Sequence, residues 1–131
     1  SLERVADISQ GIAEYVAESD EKYPQIIINE LKLPEMLQQF NFMMDDVVEA
    51  FENEDSKVAR KLFKKDKILN KINAEASDVI IKNIENYNSN MLLYLLATVR
   101  KIERAGDSIK KIAEEIIFHI DAKIVKHKNK S

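Results

Sequence analysis

Three acidic side chains stand where the sequence could assemble a charged site. Glu103 and Asp107 are four residues apart, a spacing that puts both carboxylates on one face of an α-helix. They stand at the edge of an apolar stripe with helical three-and-four spacing. Asp66 lies four residues after Leu62 and three before Leu69, at a position where the helical pattern calls for an apolar residue. We therefore expect all three carboxylates to lie at or beside a helix contact.

The chemistry of such a cluster depends on how its charge is neutralised. Residues 87–90 form a turn so short that the helices it joins must be antiparallel neighbours, which brings Asp66 to the acidic pair. Carboxylates that meet beside a core repel one another and lose hydration. A hard or borderline cation held by their oxygens would compensate them. Alternatively, the acids are partly solvated and paired with Arg100, Arg104 or a lysine. Spacing alone leaves both interpretations open.

Other kinds of site find little support. A ferritin-like di-iron centre needs a Glu three residues before a His on two helices, and neither His119 nor His127 has one. His119 fits a helix surface or an interface better than a ligand role. The chain has no Cys, which excludes disulfides and thiolate metal sites. It has no Gly-rich phosphate loop, nucleophile elbow or His-paired nucleophile, so the sequence does not support catalysis.

Composition indicates one all-α domain. The 131 residues include only two Gly and two Pro, which leaves little material for the turns of a β-rich fold. A net charge of −3 disfavours binding to nucleic acid or to an anionic membrane. No apolar run approaches the roughly 20 residues needed to span a bilayer, and no signal peptide is visible. We therefore expect a soluble protein, and the absence of Cys suits a reducing cytosol.

Four long helices are needed to position the acids. The first covers residue 2 to about residue 18, the second begins at Pro34, the third follows a cap at Asp55 or Ser56, and the last runs from Met91 to about Val125. Residues 20–33 form a connector in which Ile26 to Ile28 make a short helical turn or an extended crossover. Residues 126–131 are a basic, frayed tail.

Each helix has a predicted buried stripe. The first two stripes are Leu2, Val5, Ile8, Ile12 and Val16, then Leu37, Phe40, Met44, Val47, Val48 and Phe51. The third is Val58, Leu62, Leu69, Ile72, Ala76, Val79, Ile80 and Ile84; the fourth is Leu92, Leu95, Leu96, Val99, Ile102, Ile109, Ile112, Ala113, Ile116 and Ile120. Gly106 interrupts the last stripe at a cost of about 1 kcal/mol relative to Ala. We expect another backbone to approach closely there.

The acidic phrase of the last helix occurs twice. Leu2 to Asp7 and Ile102 to Asp107 share Glu-Arg-x-x-Asp, and an Ile-Ala-Glu triplet follows both at the same offset. The chain therefore contains an internal repeat. It begins at Ser1 with no initiator Met and no apolar helix ahead of the first copy. We expect it to be a fragment of a longer protein.

These phrases, with the apolar run Leu92 to Val99 before the second copy, resemble the PhoU family of phosphate-uptake regulators. Val58 to Asn70 is similar to that family's middle-helix pattern, in which one Asp follows another after four residues. PhoU proteins are pairs of three-helix bundles. The resemblance implies that residues 1–19 end the last helix of a first bundle. Residues 34–125 would then form an antiparallel three-helix bundle, the second repeat.

The resemblance implies a cation site and a set of partners. Family members carry iron or other cations on the acidic motifs, which makes Asp66, Asn70, Glu103 and Asp107 the expected metal ligands here. Asn70 stands where the family usually has Asp and removes one negative charge, so we expect weak or partial occupancy by iron, zinc, calcium or magnesium. Glu3 and Asp7 match the first-repeat motif, whose partner helices are absent, and we expect that site to be empty.

The function implied is that of a non-enzymatic regulator. It would repress the phosphate-starvation response by linking the ATPase subunit of a phosphate ABC transporter to a sensor histidine kinase, reaching the membrane only through partners. We also expect a homodimer, because an uncovered apolar helix face seeks a partner. Two alternatives remain open: the cytosolic domain of a sodium–phosphate cotransporter, and a metal-dependent hydrolase acting through Glu103 and Asp107.

Overall fold

Five helices make up the described chain. The computed structural model describes residues 2–19 and 23–130, with the side chains of residues 2–14 and 23–129. The helices are α1 (Leu2–Ser19), α2 (Gln25–Glu30), α3 (Leu33–Asn53), α4 (Ser56–Asn83) and α5 (Ser89–Lys130). Across the two described ranges there is no strand, and the all-α prediction is confirmed. No helix in them combines the length and apolar character needed to cross a bilayer.

The helices α3, α4 and α5 pack together as a bundle. The residues of α5 that contact α4 come earlier in the sequence as the contacted residues of α4 come later. The two helices are therefore antiparallel. These contacts are Arg60 with Asp121, Asp66 with Lys110 and Asn73 with Arg100. The short connection over residues 84–88 enforces this arrangement. Helix α1 lies against α5 and α3, with Arg4 3.9 Å from Glu115.

Side chains cap the starts of α4 and α5. Asp55 Oδ1 accepts hydrogen bonds from the backbone N–H groups of Lys57 (2.9 Å) and Val58 (3.3 Å), which confirms Asp55 as the cap. Asn88 caps α5 in the same way. Such bonds satisfy N–H groups that have no partner within the helix. The two caps therefore fix where α4 and α5 begin.

The core confirms the α5 stripe and shifts the α3 stripe. On α5 every predicted position is buried except Leu96 and Ile120, which are half-buried. On α3 the buried residues are Leu33, Met36, Phe40, Met43, Val47 and Ala50. The predicted inclusion of Phe51 is wrong, because its side chain is 44% exposed, and Leu37, Met44 and Val48 are only half-buried. α3 touches α1, α4 and α5, so its buried face is wider than one stripe and is centred on Met36 and Met43.

The α4 stripe departs from the prediction near its two ends, and at the first of them Ala59 is buried although the prediction left it out. Asp66 is buried within it, as expected, and Val79 is half-buried. Ile84 was expected inside but is 53% exposed, because the helix ends at Asn83. Asn83 is buried instead, and its Nδ2 donates to the Val79 carbonyl at 2.8 Å.

The connector and the C-terminal segment are both helical. Ile27 and Ile28 are buried on α2. Of the two alternatives predicted for residues 26–28, the structure thus has the helical turn and not the extended crossover. Residues 20–22 and the side chain of Val16 lie outside the described residues. Helix α5 runs to Lys130, so the expected end near Val125 is too early. Nothing in residues 126–130 stops a helix, since lysine is a good helix former and no Pro or Gly occurs there.

Gly106 lies where α5 packs tightly against side chains of α4 and α3. A Cβ atom added at this buried glycine would lie 2.5 Å from Leu69 Cδ2 and 3.7 Å from Met43 Cε. The close approach is therefore confirmed, but the group that approaches is a leucine side chain rather than a backbone. Gly11 on α1 is the opposite case, because nothing lies within 4 Å of an added Cβ there.

The two glycines generate a matched prediction. Gly106→Ala gains about 1 kcal/mol of helix propensity but forces a well-packed leucine aside, at a cost of roughly 1–3 kcal/mol. We expect a net loss of about 1 kcal/mol in the free energy of unfolding, measured by urea denaturation. Gly11→Ala should instead stabilise the protein by up to about 1 kcal/mol. Equal stabilisation by both substitutions would contradict the packing described here.

Candidate cation site between α4 and α5

The centre of the candidate site is the carboxylate of Asp66. The residue is only 3% exposed, because it occupies an inward position of α4. Its Oδ2 accepts a hydrogen bond from Asn70 Nδ2 at 3.2 Å and lies 3.8 Å from Lys110 Nζ. Its Oδ1 is buried and has no hydrogen-bond partner among the described residues. A buried carboxylate oxygen without a partner is costly, so this atom needs an explanation.

Burial and neighbouring acids disfavour the ionised form of Asp66. Burial is the main cause that raises the pKa of Asp66 above its ordinary value, and the charges of Asp107 and Glu114 add to it. The Lys110 ammonium and the Asn70 amide act in the opposite direction but do not cancel the effect. The carboxylate is therefore undercompensated.

Helix α5 supplies the other two predicted acids. Glu103 and Asp107 are half-buried one turn apart. Burial raises the pKa of Glu103, as do the charges of Asp107 and Asp66, while Arg100 and Arg104 lower it. The three carboxylates are thus close enough to influence one another. Their role as ligands stays a prediction.

The residues present suit a hard cation in their donor chemistry. Gly106 has no side chain beside Asp66, and a Cβ there would lie 3.7 Å from Oδ1. Oδ1, which has no partner among the described residues, therefore lies beside the α5 backbone. Carboxylate oxygens are donors that hard cations prefer. Within residues 2–19 and 23–130, however, no group of three or more His, Cys, Asp or Glu is arranged to hold a metal ion. Chelation by all three acids would require side chains to rotate.

Two lysines supply positive charge to the cluster. Lys110 faces Asp66, and Lys111 Nζ lies 3.1 Å from Asp107 Oδ2 on the same helix. Pairing of the acids with a lysine was one of the alternatives considered from the sequence. Arg100, also considered as a partner, makes its hydrogen bonds elsewhere.

Arg100 ties α5 to α4 one turn from Glu103, a role that the sequence did not reveal. Its Nη1 donates to the Asn73 carbonyl at 2.7 Å and to Asn73 Oδ1 at 2.5 Å, and its Nη2 donates to Ser77 Oγ at 2.8 Å. Bonds from one guanidinium to two turns of the facing helix fix the register of the pair. The sequence does show an Arg beside the α5 stripe and two polar residues, Asn73 and Ser77, on α4. That they face one another can be recognised only when the register of the two helices is known.

The remaining candidates lie outside this cluster. Glu3 and Asp7 are exposed on α1 and belong to no metal-holding group of the described residues. His119 is exposed, as expected, and lines a groove of about 380 Å³ with Phe51 and Ile116. That groove lies nearer the C-terminal end of α5 and does not include the acidic cluster.

The raised pKa of Asp66 predicts that replacing this acid with a neutral residue increases the free energy of unfolding, by an amount that depends on pH. A folded-state pKa above the unfolded value means that ionised Asp66 costs stability at neutral pH, and that the cost disappears as pH falls through the folded pKa. Asp66→Asn should therefore raise the free energy of unfolding at pH 7, with a gain that shrinks toward pH 4. The measurement is urea denaturation in chelator across this range. Asp78→Asn, at an exposed position of α4, is the control, and a pH-independent difference for Asp66→Asn would contradict the prediction.

Comparison with known proteins gives the family of the chain. The PhoU domain matches residues 33–116. A Thermotoga maritima protein named phosphate-specific transport system accessory protein PhoU homolog 1 is 29% identical over 120 residues, which are 89% of this chain and 51% of that protein. An uncharacterised protein of Methanocaldococcus jannaschii is 34% identical over 95 residues, 70% of this chain and 33% of that protein.

The chain thus spans about half of one curated relative and a third of the other. No solved structure matches it significantly. Because the domain match covers more than half of the chain and falls on the bundle of α3, α4 and α5, the chain belongs to the PhoU family.

Proposed function

We propose that this chain is part of a PhoU-type regulator of phosphate uptake. In this proposal it is a non-enzymatic, cytoplasmic adaptor that represses the phosphate-starvation response by linking a phosphate ABC transporter, through its ATPase subunit, to a sensor histidine kinase. The observation that carries the proposal is the PhoU domain match over residues 33–116. The name of the Thermotoga maritima relative, an accessory protein of phosphate-specific transport, supports it.

The distribution of exposed apolar side chains supports an adaptor role. One group is on α2, at the end of α4 and at the start of α5: Ile26, Ile81, Ile84 and Leu93. Another lies at the end of α3 and along the C-terminal part of α5: Phe51, Phe118, Ile124 and Val125. Exposed apolar groups at separate places on a rigid bundle suit binding to more than one partner. The proposed partners are the ATPase subunit, the kinase and a second copy of the chain.

The proposal includes a weak cation site. The residues that would hold the ion are Asp66, Asn70, Glu103 and Asp107, and the candidate ions are iron, zinc, calcium and magnesium. The buried, unpartnered Asp66 Oδ1 beside Gly106 supports this role. A bound cation would neutralise the acids and join α4 to α5, since the ligands come from both helices.

A genetic experiment tests the regulatory role. The full-length gene is disrupted in its own host, and expression of phosphate-responsive genes is measured in phosphate-rich medium. We expect expression to rise to the level seen in starvation, because repression is lost, and to fall again when the wild-type gene is restored. Unchanged expression in the disrupted strain would reject the regulator proposal.

Metal analysis tests the cation site separately. Protein purified without chelator should contain less than one equivalent of metal, since lysines already compensate part of the charge. The double variant Asp66→Ala/Asp107→Ala should contain clearly less than the wild type, measured by elemental analysis. Circular dichroism shows whether the variant is folded. Equal metal content in the two proteins would reject these positions as ligands.

A further inference from the structure

We propose that two copies of this chain associate through the outer face of the α3–α4 hairpin, with the acids of α3 in one copy against the bases of α4 in the other. The outer face is the exposed side of these two helices between Phe42 and Lys71. A second copy is among the partners in the proposed function, and this interface rests on that part of it. It adds the surface that binds the second copy and the chemistry of the contact.

Charge on the hairpin is divided between its two helices. Residues 42–55 contain six acids and no base, whereas residues 56–73 contain seven bases and one acid. The exposed acids of α3 in this segment are Asp45, Glu49 and Glu52, whose three-and-four spacing forms one stripe. The exposed bases of α4 also share one side of their helix: Lys57, Arg60, Lys61, Lys64, Lys67 and Lys71. The net charge of −3 therefore conceals a strongly basic helix surface beside an acidic one.

Most of these charges are not compensated within the chain. Arg60 lies 3.8 Å from Asp121 of α5. Within residues 2–19 and 23–130, the other five bases and the three acids of the outer face take part in no ion pair. Asp46 and Lys65, at the contact between the two helices, pair with each other. The exposed charges of the outer face are therefore available to a partner.

The same charges are placed against the helix dipoles. A helix carries partial positive charge at its N-terminal end and partial negative charge at its C-terminal end. Glu49 and Glu52 lie in the last two turns of α3, and Lys57 and Arg60 lie in the first two turns of α4. Both arrangements destabilise the isolated chain, and a partner that brings the opposite charges relieves both. A departure from the local rule that gains nothing within the chain is typical of a functional surface.

Phe42 lies between the two stripes. Its side chain is 43% exposed, and Lys65 Nζ of α4 lies 5.8 Å from the centroid of its ring. Lys65 also pairs with Asp46 of α3, so Phe42 lies on the side of α3 that is nearest to α4. An exposed aromatic ring near the centre of a polar face is typical of a protein–protein interface, where such rings act as anchors.

A second copy matches this face in charge and in height along the hairpin. The Asp46–Lys65 pair places these two residues level with each other, so in the antiparallel hairpin Glu49 is nearly level with Lys61. A two-fold axis parallel to the helices lays α3 of one copy over α4 of the other and preserves these heights. Each acidic stripe then faces a basic stripe, and the two Phe42 rings come close to the axis. A two-fold axis across the helices would place acid against acid.

A membrane surface or a nucleic acid fits this face less well. Either one presents negative charge alone, which attracts the bases of α4 but repels the acids of the neighbouring α3. A second copy presents both signs in the required arrangement. The two-fold pairing also uses the outer face of each copy once, so it closes as a dimer.

Charge-reversed variants test the interface by sedimentation-velocity ultracentrifugation at low salt. The acid-reversed variant is Asp45→Lys/Glu49→Lys, and the base-reversed variant is Lys61→Glu/Lys64→Glu. Each variant alone places like charges across the interface, so we expect its dimer Kd to rise roughly tenfold or more. An equimolar mixture of the two should restore the dimer, because each reversed helix then faces a reversed helix and each native helix a native one. Circular dichroism shows whether the variants are folded.

Two matched controls accompany these variants. Glu3→Lys/Asp7→Lys makes the same change in charge as the acid-reversed variant at exposed positions of α1, and it should leave the dimer Kd unchanged. Phe42→Ser should raise the dimer Kd, whereas Phe118→Ser should not, although the Phe118 side chain on α5 is 75% exposed. High salt should weaken the wild-type dimer, because the pairs across the interface are screened.

Several results would overturn the interface. These are a wild type that stays monomeric at low salt up to about 1 mM protein, reversed variants that dimerise like the wild type, and a mixture no more dimeric than its components. A larger loss in Phe118→Ser than in Phe42→Ser would move the interface to the C-terminal part of α5. Monomers that bind phosphatidylserine vesicles through Lys61 and Lys64 would assign α4 to a membrane instead. None of these results changes the rise in phosphate-responsive expression expected on gene disruption, so the regulator proposal is tested independently.

Discussion

The close approach of α4 and α5 at Gly106 is the constraint on which the candidate site depends. With no side chain at this position, Leu69 packs against the α5 backbone, and a Cβ would lie only 2.5 Å from it. The same approach brings Asp66 Oδ1 to the backbone beside Gly106 and its Oδ2 to Lys110. Wider separation of the helices would let water reach the carboxylate and weaken its coupling to the α5 acids. Packing therefore creates the electrostatics of this site.

The negative charges of the acids in this cluster are neutralised to different degrees by nearby cations. Asp107 is half-buried and paired at 3.1 Å with Lys111, whereas Asp66 is buried and its lysine lies 3.8 Å away. Arg100, three residues before Glu103, makes its hydrogen bonds to Asn73 and Ser77. The Arg100 guanidinium thus fixes the register of α5 against α4 and does not form a hydrogen bond with Glu103. The buried Asp66 is paired only at 3.8 Å with Lys110, whose side chain is partly exposed to solvent.

Much of the architecture could be predicted from the sequence, because it follows from local rules. The helical spacing, the scarcity of Gly and Pro and the cap at Asp55 all act within a few residues of one another. The burial of Asp66 was also predictable, since it interrupts a stripe. The α3 stripe was not, because Met36 and Ala50 become core only when helices pack on several sides of α3.

The sequence also could not predict which partner each charged side chain contacts. Helical spacing shows which residues share a face but not how far apart two facing helices lie, and a change of a few ångströms decides between an ion pair and a solvated charge. The pairs Asp66 with Lys110 and Arg100 with Asn73 depend on that distance and on rotamers. Their identities therefore required the structure.

Helix α5 places the candidate site and the exposed apolar groups of its C-terminal part on one element. Its 42 residues span about 63 Å at 1.5 Å per residue, whereas the 28 residues of α4 span about 42 Å. Helix α5 is therefore longer than its main partner, and Phe118, Ile124 and Val125 are exposed along its C-terminal part. Asp107 and Ile124 are 17 residues apart, about 25 Å along a continuous helix. A helix without a Pro or an internal break is stiff over this length. The helix that packs against Asp66 is thus the helix that carries the exposed apolar side chains Phe118, Ile124 and Val125.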